Sequence, residues 1–215
     1  LLEARVRMQA GDDIVIEFAP SLNAVQFQEA PGGEGSANPA MYHASVPAGR
    51  SLTIGSTQAR PILDGYDENR LFDFGGSGSV TLRNLQLVNG RATGAAGTDG
   101  AGVRTTAALT LDNVELNGHQ TITGGAGGGI HSTNDVTLIG SSVWNASASG
   151  GGGGLYVTGA ESDVVVRGST LAGNSNGIGG GLGGGIYCSC ASVTIEQNSQ
   201  LRINTGRAGG GGIYA

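Results

Sequence analysis

The chain has 215 residues, enough for one domain with a sizeable core, and glycine supplies 42 of them. Charged residues make up only 13%, with eleven arginines, no lysine and a formal net charge of −6; the arginines are scattered, which argues against a nucleic-acid partner. No stretch approaches the eighteen consecutive apolar residues of a membrane-spanning helix, and 38% hydrophobic residues on a fixed register argue against a disordered low-complexity chain.

In chain order, residues 1–51 read as an N-terminal cap and a first irregular coil. Residues 1–10 suit a short amphipathic helix with Leu2, Val6 and Met8 on one side, residues 13–18 a strand, and residues 30–41, rich in Gly and Pro, a loop. No basic-then-apolar leader opens the chain, so an export signal is expected upstream. From residue 52 a repeat takes over. Leu52-Thr53-Ile54, Val80-Thr81-Leu82, Leu109-Thr110-Leu111, Val136-Thr137-Leu138, Val164-Val165-Val166 and Val193-Thr194-Ile195 open six segments at intervals of 28, 29, 27, 28 and 29 residues.

A period in this range means one supersecondary unit per repeat, stacked on its neighbours. Within each triplet the outer two residues point inward and the Thr outward. A second short apolar run and a third Gly-Gly-aliphatic run follow, so three short strands per coil are expected. Four-glycine runs exclude an α-solenoid, because each glycine costs about 1 kcal/mol relative to alanine in a helix. The expectation is an all-β parallel β-helix of about six coils over residues 52–215, roughly 29 Å long at about 4.8 Å per coil. The last coil is expected to continue in a longer parent protein.

Two columns recur in phase with the strands. Asn89, Asn117, Asn145, Asn174 and Asn204 are expected to stack as a structural amide ladder. Tyr156, Tyr187 and Tyr214 follow the inward aliphatic of the third run and should form an outward aromatic stripe. Trp144, beside the asparagines, is either an inward filler or an exposed platform; together these four aromatics are the candidate binding stripe, read either as a structural ladder or as a glycan site.

Gly-Gly-Gly-Leu-Tyr at 152–156, Gly-Gly-Gly-Ile-Tyr at 183–187 and its copy within 209–214, with Leu171 three residues before Asn174, resemble the repeats of bacterial right-handed parallel β-helix surface proteins related to the polymorphic outer-membrane proteins. Leu171 and Leu201 stand where that family has an aromatic. Leu2-Glu3-Ala4 and the segment 11–18 are similar to the family's Cys-Ser-Leu-Arg-Glu-type N-terminal region. The resemblance implies export, a place at the cell surface or outside the cell, and adhesive or structural work, with host or matrix glycans or proteins, or further copies of the chain, as partners.

Candidate chemistry is sparse. Glycoside cleavage needs two carboxylates about 5 to 10 Å apart, which in stacked coils means acids two apart on a strand or at equal phase in adjacent coils. Asp112 and Glu115 have Arg83 and Ile139 as phase neighbours of Asp112 and form no acidic column. Glu161 and Asp163, with Arg167 as a base, make the one lyase-like set. His43, His119 and His131 lie in different coils, His131 at the Tyr position of its repeat; Asp99 sits in a single glycine-aspartate turn, too little for calcium. Cys188 and Cys190, two apart, can bond to each other, share a metal or simply pack. The Thr column could match ice, but Val165 interrupts it. The insertions at residues 91–102, 146–154 and 175–184 are where recognition is expected. The reading is a non-catalytic surface β-helix with no cofactor and no metal, an adhesin or passenger rod. A structural subunit of an extracellular assembly and a polysaccharide lyase or hydrolase are the alternatives.

Overall fold

Short alternating runs bury one face only when other strands pair with their edges, and here the partner is the run one repeat away. The computed structural model describes residues 13–18, 24–26, 40–57, 60–93, 98–177 and 181–215. These form strands and turns, without a helix long and apolar enough to cross a membrane among them. Every strand pair is parallel, and the chain winds into a β-solenoid of about six turns roughly 28 residues apart, the parallel β-helix expected from the repeat.

The first sheet holds Ile14–Glu17, Ser51–Gly55, Ser79–Arg83, Ala108–Asp112, Val136–Ile139, Asp163–Arg167 and Ser192–Glu196. The second holds Ala24–Gln26, Ile62–Asp64, Gln86–Val88, Glu115–Asn117, Ser142–Trp144, Thr170–Ala172 and Gln200–Arg202. The third holds Ala40–Val46, Arg70–Gly76, Val103–Thr105, Ile130–Ser132, Leu155–Val157, Ile186–Cys188 and Ile213–Tyr214. A fourth sheet, not expected from the sequence, is made of the two-residue strands Arg91–Ala92, Gln120–Thr121, Ser147–Ala148 and Ser175–Asn176. The N-terminal strands join the three main sheets in register, Ile14 against Leu52 and Ile16 against Ile54, so Ile14–Glu17, Ala24–Gln26 and Ala40–Val46 add one strand to each ahead of the repeats. The helix expected over residues 1–10 and residues 30–39 of the loop expected over 30–41 lie outside the described residues; the last two residues of that loop, Ala40 and Met41, instead begin a strand that pairs with Arg70–Gly76.

The triplets behave as the alternation requires. Leu52, Ile54, Val80, Leu82, Leu109, Leu111, Val136, Leu138, Val164 and Val166 are buried, and the residue between each pair, Thr in four coils and Val165 in the fifth, faces out; in the sixth triplet Val193 is half-buried and Ile195 is exposed. Leu63, Leu87, Leu116, Val143 and Leu171 continue the core from the second sheet, and Phe72, Val103, Ile130, Leu155 and Ile186 from the third. Each such side chain contributes about 2 to 3 kcal/mol by leaving water.

Glycine runs sit where coils meet backbone to backbone. A Cβ on Gly153 would lie 2.4 Å from the Ser175 carbonyl oxygen and 2.5 Å from that of Gly184; Gly183, at φ +68°, also needs the left-handed conformation.

The five asparagines of the expected ladder fall at three phases. Asn117 stands on a strand opposite Val88 and Trp144. Asn89 and Asn145 occupy the next position, which is left-handed in five successive coils: Asn89 (φ 52°), Gly118 (73°), Asn145 (50°), Gly173 (64°) and Ile203 (57°). Asparagine and glycine alternate there for a steric reason. A Cβ on Gly173 would approach Asn145 Oδ1 to 2.7 Å, and one on Gly118 would approach Asn89 Oδ1 to 3.2 Å, so each amide leans over the next coil. Asn89 Nδ2 reaches back to Asp64 Oδ1 at 3.0 Å, and Asn145 Nδ2 to Asn117 Oδ1 at 3.2 Å.

Asn174 and Asn204 lie one residue further on and point inward. Asn174 Oδ1 accepts from the Ala146 N–H at 3.0 Å while its Nδ2 donates to the Val143 carbonyl at 2.9 Å. Asn204 repeats this one coil on, accepting from the Asn174 N–H and donating to Leu171. His119 does the same with an imidazole: Nδ1 accepts from the Gly90 N–H at 2.9 Å and Nε2 faces the Leu87 carbonyl at 3.0 Å. With Nδ1 accepting, Nε2 carries the proton and the ring is neutral.

His119 is fully buried, and burial, only partly offset by the Leu87 carbonyl and Asp64, lowers its pKa from 6.5 to about 4. Between those values the unfolded chain binds a proton that the native fold excludes, so stability should fall as pH drops from about 6.5 towards 4, by about 3 kcal/mol. Denaturant unfolding over this range should show that slope, and His119→Asn, which supplies the same acceptor and donor, should flatten it. Ile203 is β-branched, left-handed and 83% exposed. Ile203→Asn should therefore raise stability by about 1 kcal/mol, read as a higher thermal midpoint.

Candidate functional site

Because side chains alternate across a strand, the middle residues of the third sheet's strands all face outward in one line. The register makes that line His43, Asp73, Arg104, His131, Tyr156, Tyr187 and Tyr214. The expected tyrosine stripe is therefore real, and it continues into His131 and then into charge. The rings lie parallel: His131 to Tyr156 at 5.4 Å between centroids, Tyr156 to Tyr187 at 4.5 Å, and Tyr187 to Tyr214 at 5.6 Å. Trp144 does not join them. It faces outward on the second sheet, half-buried, with the Arg202 guanidinium carbon 5.4 Å from its ring centre.

The stacking limits what the stripe can do. A sugar packs on the face of an aromatic ring, but both faces of Tyr156 and Tyr187 are covered by neighbouring rings. Their edges instead wall a groove of about 230 Å³ whose other side is Gly124, Ala126, Gly150, Gly151, Gly181 and Leu182. Burial, then the Tyr187 phenol and Asp99, push the Tyr156 hydroxyl above its ordinary pKa, so it stays a neutral donor.

At the other end of the column the groups are ionic. Arg104 grips Asp73 with two hydrogen bonds, Nε to Oδ1 at 2.9 Å and Nη2 to Oδ2 at 2.5 Å. Fully buried Arg70 lies 3.9 Å from the same carboxylate and donates to the carbonyls of Asp99 and Gly100; His43 lies 3.6 Å from Asp73. Burial works to raise the Asp73 carboxyl, but Arg104, with Arg70 and His43, outweighs it and holds the group below the usual range. Burial likewise lowers Arg70, to about 10, against the pull of Asp73 and Asp99.

Asp99, a lone turn residue in the sequence, accepts from the Ala126 N–H at 2.8 Å and sits 4.0 Å from His131 Nε2. Burial lowers His131, Asp99 opposes this, and Arg104 and Arg70 add to it. His131 Nδ1 is buried with no hydrogen-bond partner among the described residues. Sequence reasoning missed this cluster because its members come from four coils; the shared phase of His43, Asp73, Arg104 and His131 was the available signal.

The lyase-like set is not assembled. Arg167 is paired with Glu196 at 2.6 Å, and Asp163 accepts from Ser192 Oγ at 2.6 Å. Asp135 lies at the same phase as Asp163, but its Oδ1 caps the Asp163 N–H at 2.9 Å on an exposed corner. Asp112 pairs in register with Arg83 and Ile139, as expected. Among the described residues no group of three His, Cys, Asp or Glu could hold a metal ion.

Cys188 and Cys190 form a disulfide, with Cα atoms 5.1 Å apart. The register gives this corner its meaning, because Cys188 stands at the phase of Thr105 and Ser132. In those coils a hydroxyl closes the corner two residues on, Thr105 with Ala107 and Ser132 with Asn134. The disulfide replaces that hydrogen-bonded closure and spans too short a loop to add much chain-entropy stabilisation.

Removing one stacked ring should open the column. Tyr187→Ala should cost about 2 to 3 kcal/mol in denaturant unfolding, from two lost ring pairs and lost burial, while Tyr187→Phe stays within about 0.5 kcal/mol. Comparison with family models, with curated proteins and with solved structures finds no match to this chain, so its function is argued from the geometry above.

Proposed function

We propose that this chain is the non-catalytic rod of an extracellular or cell-surface protein, acting as an adhesin or passenger β-helix. The observation that carries the reading is that its outward columns are tied from coil to coil. Tyrosines stack on tyrosines, Arg104 holds Asp73, Arg167 holds Glu196, and Asp163 is bonded by Ser192. Side chains so engaged stiffen a solenoid, whereas a catalytic acid or base must be free to exchange a proton with substrate. The resemblance of the Gly-Gly-x-aliphatic repeats to bacterial surface β-helices supports the same placement. A structural subunit of an extracellular assembly uses the same stiffness. A polysaccharide lyase is disfavoured because the Arg167 guanidinium is already paired.

The test is a screen of the folded chain against glycans and matrix proteins, with product analysis of every hit. Saturable binding without products is the expected result. Polysaccharide cleavage that disappears in Arg167→Ala would overturn the reading in favour of the lyase.

A further inference from the structure

The outer face of the second sheet carries an aromatic and a cation that nothing in the rod's own stiffness requires. One outward column runs Asp64, Val88, Asn117, Trp144, Ala172 and Arg202, and the column beside it runs Gln86, Glu115, Ser142, Thr170 and Gln200. Trp144 is the one tryptophan of the chain. Unlike the tyrosines it has no ring neighbour among the described residues. The next coil offers only the methyl of Ala172, and that notch lets Arg202 reach back two coils to lie over the indole.

Arg202 is exposed and has no carboxylate partner among the described residues, whereas Arg104 and Arg167 are each bonded to one. A guanidinium over an indole is attracted by the ring's negative face, which positions the fork while leaving its N–H donors for something else. Glu115, the nearby carboxylate of this face, lies one coil to the N-terminal side of the ring and three coils from Arg202.

We propose that Trp144 and Arg202 form a binding site for an acidic sugar unit of a polysaccharide, a uronate, whose C–H face packs on the part of the half-buried indole that the guanidinium leaves open while its carboxylate is taken by the Arg202 fork. Ser142, Thr170 and Gln200, two positions before Trp144, Ala172 and Arg202 on their strands, present hydroxyl and amide groups for the sugar hydroxyls. A neutral sugar would use the ring and leave the fork unmet; a simple anion would use the fork and leave the ring in water. Bidentate pairing is what distinguishes the uronate. The chain's net charge of −6 slows approach of an acidic polymer, but at physiological salt repulsion fades within about 8 Å and the local cation dominates. The proposal rests on the extracellular binding reading only for where such a polymer would be met.

Because Trp144 is the only tryptophan, its fluorescence reports this site alone. Titration of the folded chain with an oligogalacturonate should give a saturable change in emission that weakens as salt is raised. The same oligomer with its carboxylates reduced to alcohols should bind about tenfold more weakly, the worth of one charge-assisted pair. Arg202→Ala should lose the same factor for the uronate and little for the neutral oligomer, with unchanged circular dichroism because the residue is exposed. Absence of any saturable change, equal affinity for charged and neutral oligomers, or undiminished uronate binding in Arg202→Ala would each overturn the proposal. So would an equally strong response to polyglutamate, which would make the ligand an acidic peptide. Binding of some other glycan that survives Trp144→Phe and Arg202→Ala would overturn this site while leaving the adhesive rod standing.

Discussion

The constraint on which everything else depends is the parallel backbone ladder between coils. A residue's N–H and C=O engage the residues that flank its phase partner one coil away, so each position must present a compatible backbone in every turn. Where the chain turns, that backbone is left-handed, and asparagine and glycine share the position. Where two backbones nearly touch, as at Gly153, no side chain fits. The repeat in the sequence is the imprint of this ladder.

Within that frame the columns preserve a physical task and let the residue vary. The inward bridge made by Asn174 and Asn204 is made by an imidazole in His119, because ring Nδ1 and Nε2 stand in for the amide oxygen and nitrogen. The corner closed by hydroxyls of Thr105 and Ser132 is closed by the Cys188–Cys190 bond. On the outer line, His131 stacks as the tyrosines do. A second left-handed column, Asn84, Asn113, Gly140 and Gly168, follows the first sheet in the same way, with Asn113 Nδ2 bonded to Asn84 Oδ1 at 2.7 Å. Residue identity is therefore a poor guide to role in this chain, and phase is a good one.

The same logic separates scaffold from surface. Side chains that engage the neighbouring coil stiffen the rod, and those that do not are what the surface offers a partner. Most of the third sheet's outer line belongs to the first group: aromatic at one end, ionic around buried Arg70 at the other. On the second sheet's outer face Asp64 and Asn117 are tied to neighbouring coils, while the guanidinium fork of Arg202, held over Trp144 without a carboxylate partner among the described residues, is what the surface offers.

The fold was legible in the sequence because hydrophobic phase is a local property. Aliphatic residues at the ends of each triplet, Thr between them in all but one and glycine before Ile130, Leu155 and Ile186 suffice to write the coil, since any other winding would bury the wrong face. The tyrosine stripe was legible for the same reason. What the tertiary structure alone decided was exact phase and reach. The five asparagines look alike at repeat spacing, yet a shift of one residue turns a side chain from outside to inside, and only the paired backbones set Asn117, Asn145 and Asn174 at three different positions. The meeting of Asp99 with His131, of Arg70 with the Asp99 carbonyl and of Arg202 with Trp144 likewise depends on how far long or turn-borne side chains extend across coils, a distance that no spacing along the chain encodes.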